Sequence, residues 1–246
     1  MKVFAGDPKQ LGPIIRSRLA MRFGLSQSLL DQLCQGSEHK SEGTENIQHL
    51  VQSYRAHPDI LSLYSKVFYN DELVHRAPRD VTEQLLDWPD LPNPTCPLLF
   101  RHVRGREERE EDSPSWYNQK ELNMILTTLR SLFRSAGYKR TWDNSDIGII
   151  TPYNKQKSKI QQMFYNKPEF DKITVGTTEV FQGKEKKIII ISTVRSREEF
   201  LQLDAKFNIG FLDNPKRLNV AISRPRSLLV PPFLLFLTHL LLTPPK

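Results

Sequence analysis

Apolar positions repeat along this chain with two different periods. Four long stretches repeat every three to four residues, the spacing of a helix with one buried face. Residues 24–33 line up Leu25, Leu29, Leu30 and Leu33. Residues 58–68 open on a proline, which suits a first helical turn, and carry Ile60, Leu61, Tyr64 and Phe68. Residues 118–135 carry Leu122, Ile125, Leu129, Leu132 and Phe133, and residues 154–165 turn Ile160, Met163 and Phe164 inward with lysines outward. A shorter helix is predicted over 215–223. Strands are predicted over 2–5, 97–103, 146–150, 173–177 and 188–194, and again from Leu228. The run of four isoleucines followed by Ser-Thr-Val has no polar helical face, so it reads as a strand buried on both sides. Such strands alternating with helices predict an α/β fold, a parallel sheet with helices on both faces. Polar residues 35–46 read as a mobile loop, 76–97 as proline-rich and irregular, and 104–112 as a charged loop. No internal repeat is visible.

Composition narrows the picture. At 246 residues, with 38% hydrophobic and 26% charged, the chain can build a sizeable core. Its 35 Lys and Arg against 28 Asp and Glu give a net charge of +7, which favours a polyanionic partner such as nucleic acid. Cys34 and Cys96 stand far apart with no CxxC, and the six histidines show no ligand spacing. A disulfide framework and a zinc site are therefore not expected, and the usage suits a reducing compartment. Met1 to Phe4 run straight into the first polar motif, with no leader expected. The apolar stretch 228–242 is 15 residues long and contains Pro231, Pro232 and His239. A membrane span needs about 20 apolar residues, so a short strand and a tail are expected there and no membrane partner.

The polar motifs carry the chemistry. GDPKQLGP at 6–13 combines an Asp at a strand end, a proline-assisted turn and Gln10 leading into a loop, an arrangement suited to sensing a phosphate. In open α/β sheets function gathers at the carboxyl ends of strands. TPYNKQ at 151–156, TTEVFQGKE at 177–185 and NPKRLNVAISR at 214–224 all flank predicted strands. No GxxxxGK[ST] phosphate-binding loop occurs anywhere in the sequence.

GDPKQLGP, YRAHP (54–58), ITPYNKQ, VGTTEVFQGKEKKIIIISTVRS (175–196) and RLNVAISR (217–224), in this order, resemble superfamily 1 helicases of the up-frameshift type. The segments LGPIIRSRLAMRFGLSQSLL (11–30), SPSWYN (113–118) and GFLDNPKRLNVAISRP (210–225) are most similar to the Moloney-leukaemia-virus-ten-like and Armitage RNA helicases. The likeness runs from about residue 2 to 230. It implies a RecA-like P-loop NTPase fold and the C-terminal lobe of a helicase. Residues 1–20 would be a remnant of the first lobe, 21–230 the second lobe, and 231–246 a divergent tail.

By this resemblance ATP and Mg²⁺ are the cofactors, with most of their ligands in the first lobe and no metal ligand in this chain. Arg55 and Arg224 would reach the nucleotide, because a guanidinium fork compensates charge on a departing phosphate in a way lysine does not. Gln10 would sense the γ-phosphate and Tyr54 would stack on adenine. Gln182, Gly183 and Glu185 would bound the nucleotide, Gly183 letting backbone approach and Glu185 facing ribose hydroxyls. Thr151, Pro152, Tyr153 and Thr177 match positions that touch the RNA backbone. Lys155, Lys157 and Lys159 fit either a basic track or a solvated helix face. The resemblance further implies single-stranded RNA as substrate, 5′ to 3′ movement, RNA-silencing proteins as partners and a cytoplasmic or granule location. The motor reading requires Arg55 and Arg224 to converge beside the FQGKE turn. Val180, Ser223 and Pro225 depart mildly from the family pattern, and PPFLLFLTHLLLTPPK (231–246) departs completely, as an altered splice product or gene end would. Two other classes fit the same residues: an inactive fragment that binds RNA or a partner, and a DNA helicase of the same superfamily.

Overall fold

The computed structural model describes residues 2–15, 17–38, 47–103, 105–110, 115–135, 141–195, 211 and 214–232. Most of the expected loop at 35–46 and of the divergent tail, together with parts of SPSWYN and GFLDNP, lies outside these. The chain divides into two compact units, Met1–Val51 and Gln52–Lys246.

In the first unit, Ser17 caps a short helix α1 (Arg18–Arg22) by accepting from the Ala20 amide. Helix α2 spans Leu29–Glu38 and begins later than its leucine pattern suggests. Gly24 sits at φ 83°, and the Ser28 hydroxyl accepts from the Asp31 amide, so the helix starts at this serine cap. The strand expected over 2–5 does not form. Val3 and Phe4 are exposed, and among the described residues no neighbouring strand pairs with them.

The second unit is built on four parallel strands, β5 (Ile147–Ile150), β6 (Thr174–Gly176), β7 (Lys186–Ile191) and β8 (Pro225–Val230), in the order β6-β5-β7-β8. The isoleucine run alternates across this sheet. Ile188 and Ile190, with Ile147, Ile149, Leu228 and Val230, face one core that holds Leu122, Ile125, Leu129 and Leu132 of α5 (Gln119–Ser135) and Ile160 of α6 (Asn154–Phe164). Ile189 and Ile191, with Ile150 and Leu229, face a second core. There they meet α3 (Pro58–Phe68), α7 (Thr178–Phe181) and α8 (Pro215–Ile222). Each isoleucine of the run is fully or almost fully buried, contributing roughly 1.5–3 kcal/mol. Helices therefore cover both faces, as the double-sided apolar strands require.

Gly148 leaves no room for a side chain in the second core. A Cβ there would stand 2.6 Å from Phe181 Cε1 and 2.7 Å from Ile189 Cδ1. Gly148→Ala is expected to cost about 2 kcal/mol through overpacking, read as a lower urea midpoint with an unchanged m-value.

Smaller elements frame the sheet. β1 (Gln52–Ser53) and β2 (Val74–His75) form a parallel pair, and α4 spans Arg79–Thr82. β3 (Glu108–Arg109), inside the charged loop expected over 104–112, forms an antiparallel pair with β4 (Trp116–Tyr117). The strand expected over 97–103 is reduced to two isolated parallel bridges, Leu98 with Leu229 and Arg101 with Pro232. Proline at 97, 231 and 232 removes the donors that a continuous ladder needs. α3 is capped by His57, whose Nδ1 accepts from the Asp59 amide, and burial lowers the pKa of this imidazole.

Candidate functional site

Two groups of the expected residues assemble, at opposite ends of the sheet. The first lies at the amino ends of β7 and β8. The Lys186 amide donates to the Arg224 carbonyl (3.1 Å), which brings the segment ahead of β7 against the segment ahead of β8. The loop before α3 is tied to the same edge by the His57 amide, which donates to the Arg226 carbonyl (2.9 Å). Arg55 Nε donates to Glu185 Oε2 at 2.7 Å, and its Nη1 donates to the Ser223 carbonyl at 3.2 Å. Arg224 Nη1 donates to the Lys184 carbonyl (3.3 Å), Nε to the Val220 carbonyl (3.1 Å), and Nη2 to Ser223 Oγ (2.9 Å). The two arginines thus converge on Ser223 beside the 182–185 turn.

Their situations differ. Arg224 is 2% exposed and engaged with main-chain carbonyls, whereas the Arg55 side chain is 31% exposed and ion-paired. Arg226 Nη1 approaches the other oxygen of Glu185 at 3.5 Å, so this carboxylate is shared by two cations. Tyr64 lies nearby in α3. Burial pushes its hydroxyl above the ordinary tyrosine range, while the Ser53 hydrogen bond and the positive Arg55 and Arg224 pull the other way.

The rest of this group faces outward. Tyr54 is 64% exposed, its hydroxyl donating to Gln52 Oε1 at 2.7 Å, so it is a surface ring and not a core residue. Gln182 and Gly183 are exposed. Gly183 adopts φ 75°, with no atom within 4 Å of where a Cβ would stand, leaving its backbone open to close approach. An exposed ring, a half-exposed guanidinium and an open glycine turn suit one edge of a nucleotide. Among the described residues, no group of three His, Cys, Asp or Glu stands close enough to hold a metal ion, so no metal step is assigned to them. Gln10 belongs to the first unit. Its Nε2 donates to Asp7 Oδ2 (2.8 Å) and its amide to the Asp7 carbonyl (3.1 Å), closing the GDPKQ turn.

The second group occupies the carboxyl ends of β5, β6 and β7, roughly 20 Å away along the six residues of β7. The carboxyl-end rule fits TPYNKQ and Thr177, whereas Glu185 and Arg224 stand just before β7 and β8, at their amino ends. Arg224 and Glu185 precede their strands because the returning helix and turn deliver them to the near end. Pro152 and Thr177 reach the surface at the far end, while the Thr151 and Tyr153 side chains are buried. The Thr151 amide donates to the Gly176 carbonyl (3.1 Å), and the Tyr153 hydroxyl accepts from Arg195 Nε (3.0 Å).

A buried polar network that the motifs did not announce underlies this end. Glu121, in the first turn of α5, accepts from Ser192 Oγ (2.5 Å), Thr193 Oγ1 (3.2 Å) and the Val194 amide (3.0 Å). Gln156 Nε2 donates to Ser192 Oγ (2.9 Å), Asn118 Nδ2 donates to the Val194 carbonyl (3.0 Å), and Asn118 Oδ1 caps α5. Val194 stands at φ 67°, a costly conformation for a β-branched residue, held because both of its backbone groups are engaged from α5 and its cap. Burial pushes the Glu121 carboxyl up to about 7, against the pull of its donors. The next residue, Arg195, lays its guanidinium 4.5 Å from the Trp116 ring centre and 5.5 Å from that of Tyr153. One signal for Glu121 was present in the sequence, since it shares the apolar stripe of Ile125 and Leu129.

The AAA domain family matches residues 25–230. The chain is 44% identical over 238 residues to RNA helicase Mov10l1 of Homo sapiens, covering 93% of this chain and 19% of that protein. It is 37% identical over 248 residues to the probable RNA helicase armi of Drosophila melanogaster, covering 93% and 20%. It is also 36% identical over 230 residues to a regulator of nonsense transcripts 1 homolog of the same fly, covering 91% and 18%. The chain thus spans about a fifth to a quarter of the length of the curated relatives it matches.

Proposed function

This chain belongs to the AAA domain family and, within it, to the Moloney-leukaemia-virus-ten-like and Armitage group of superfamily 1 helicases; from that premise we propose that it is the second RecA-like lobe of an ATP-dependent helicase acting on single-stranded RNA. The observation that carries this reading is the meeting of Arg55 and Arg224 on Ser223 beside the FQGKE turn. Two guanidinium groups on one edge, next to an exposed ring and an open glycine, suit recognition of a nucleoside triphosphate.

ATP, when bound, supplies the phosphoanhydride whose cleavage drives the cycle. Arg55 exchanges Glu185 for phosphate oxygens, and Glu185, kept on its edge by Arg226, turns to ribose hydroxyls. Tyr54 packs its ring on the base, and Gln182 and Gly183 shape the rim. Arg224 holds the turn and the α8 end in place and contributes charge from beneath. Gln10 is assigned to the terminal phosphate by the resemblance of GDPKQLGP alone. At the other end of the sheet, Pro152 and Thr177 meet the sugar-phosphate backbone without reading sequence, while Thr151 and Tyr153 shape the strand ends from below. On the resemblance alone we further propose a role in RNA silencing and a cytoplasmic, granule-associated location.

The 246 residues contain no GxxxxGK[ST] loop, which favours one further statement: on its own this lobe binds RNA but does not turn ATP over. Purified chain is expected to bind single-stranded RNA with an affinity that falls as salt rises, and to release no phosphate above background. Phosphate release at a typical helicase rate overturns the inactive-alone statement. Equal failure to bind RNA and DNA at low salt overturns the RNA-lobe reading.

A further inference from the structure

We propose that Lys155 and Lys159 form a phosphodiester subsite for single-stranded RNA, and that Glu110 fills it as an internal phosphate surrogate when no strand is bound. The inference rests on the RNA-lobe reading and names a part of the strand path that reading leaves out. Lys155 and Lys159 lie one turn apart on α6, so their ammonium groups share a face. Both reach the same carboxylate, each taking a different oxygen: Lys155 pairs with Glu110 Oε2, and Lys159 Nζ stands 3.2 Å from Oε1. The two non-bridging oxygens of a phosphodiester present the same pattern of one negative charge spread over two acceptors. These bonds to the lysines hold the Glu110 carboxyl below the usual range, so it is charged wherever the lysines are.

Placement supports the assignment. α6 begins directly after Thr151, Pro152 and Tyr153, so the lysines continue the line of the carboxyl-end group. The Lys155 amide donates to Ser115 Oγ (3.0 Å), and Lys159 Nζ lies 5.0 Å from the centre of the Tyr117 ring, which puts the lysine pair against β4. Half-buried Tyr117 stands beside Lys159, an aromatic and basic combination that suits a single strand. Glu110 follows β3, whose ladder with β4 is only two residue pairs long and is separate from the main sheet. A carboxylate on so short a hairpin is cheap to displace, and partly exposed ion pairs of this kind contribute little to folding.

The test measures affinity of the full chain for a fluorescent oligouridylate across salt, in four variants. Glu110→Gln is expected to tighten binding about 3- to 10-fold at low salt and to steepen its salt dependence, because a phosphate then meets two unpaired cations. Lys155→Gln with Lys159→Gln is expected to weaken binding and flatten the slope by about 0.7 for each phosphate that is no longer neutralised. Combining all three substitutions should abolish the Glu110→Gln gain. Glu108→Gln, on the same hairpin but bonded to the Tyr117 hydroxyl, controls for the loss of one negative charge. The proposal is overturned if Glu110→Gln gains no more than Glu108→Gln, or if its gain survives removal of the lysines. A chain that binds RNA but ignores these substitutions refutes the subsite alone; a chain that binds no RNA in any variant refutes the parent reading.

Discussion

Replacing Arg224 with alanine is expected to lower the stability of the chain by about 3–4 kcal/mol, enough to unfold much of a marginal domain. The side chain is one of the largest fully buried groups in the molecule, and it spends its donors on the Lys184 and Val220 carbonyls and on Ser223 Oγ. Alanine leaves the Lys184 carbonyl without this donor and opens a void where the aliphatic stem ran. Each term costs on the order of 1–3 kcal/mol. Arg224→Lys keeps the stem and the charge but lacks the fork, so it should recover about half of the loss. Urea unfolding of the three chains measures this. A midpoint for the alanine variant within error of the parent contradicts the assignment of Arg224 as a structural tie. Arg55→Ala is the informative partner. Arg55 is partly exposed, so its removal should leave the unfolding midpoint nearly unchanged while removing nucleotide binding at the same edge.

The second large effect is a dependence on pH. The Glu121 carboxyl sits near 7 in the folded chain against 4.5 as its ordinary value, raised by burial. The folded state therefore holds a proton that the unfolded state has lost, and this contribution to stability is fully present below pH 4.5. It declines as pH rises and is gone once pH passes the folded value near 7. A gap of this size corresponds to about 3 kcal/mol. Glu121→Gln removes the titration while keeping the shape. Its carbonyl can accept from Ser192 and the Val194 amide, and its amide can donate to a rotated Thr193 hydroxyl. Urea midpoints between pH 5 and 8 should fall steeply for the parent and stay nearly level for the variant. Parallel curves exclude Glu121 as the titrating group.

Sheet and helices were readable in the chain because their signals are local. The isoleucine run gives both faces of β7 at once, and Pro58, with the spacing of Ile60, Leu61 and Tyr64, fixes α3 at both ends. What could not be read depends on residues distant in sequence. β7 begins at Lys186, not at the first isoleucine, because the Lys186 amide finds the Arg224 carbonyl. It ends at Ile191 because the Ser192 and Thr193 hydroxyls and the Val194 amide turn to Glu121. The motif residues Arg55, Glu185 and Arg224 were recognisable by type and order. Their position at the amino edge was not, since it depends on which end of each strand a loop approaches. Glu121 was marked only by its place on the apolar stripe of Ile125 and Leu129, and Glu110 lay within a run of charge that reads as plain solvation. The leucines of residues 24–33 promised an earlier start, but a serine cap outranks a hydrophobic stripe in deciding where a helix begins.

β7 is flanked by β5 on one side and β8 on the other, and Ile188, Ile189 and Ile190 are paired in both directions. A strand stitched along both borders cannot slip lengthwise without breaking two ladders and turning every isoleucine out of its core. The arginine edge and the far end of the sheet are accordingly joined by a stiff spar. The spacing between those two edges is therefore set by the length of β7 itself.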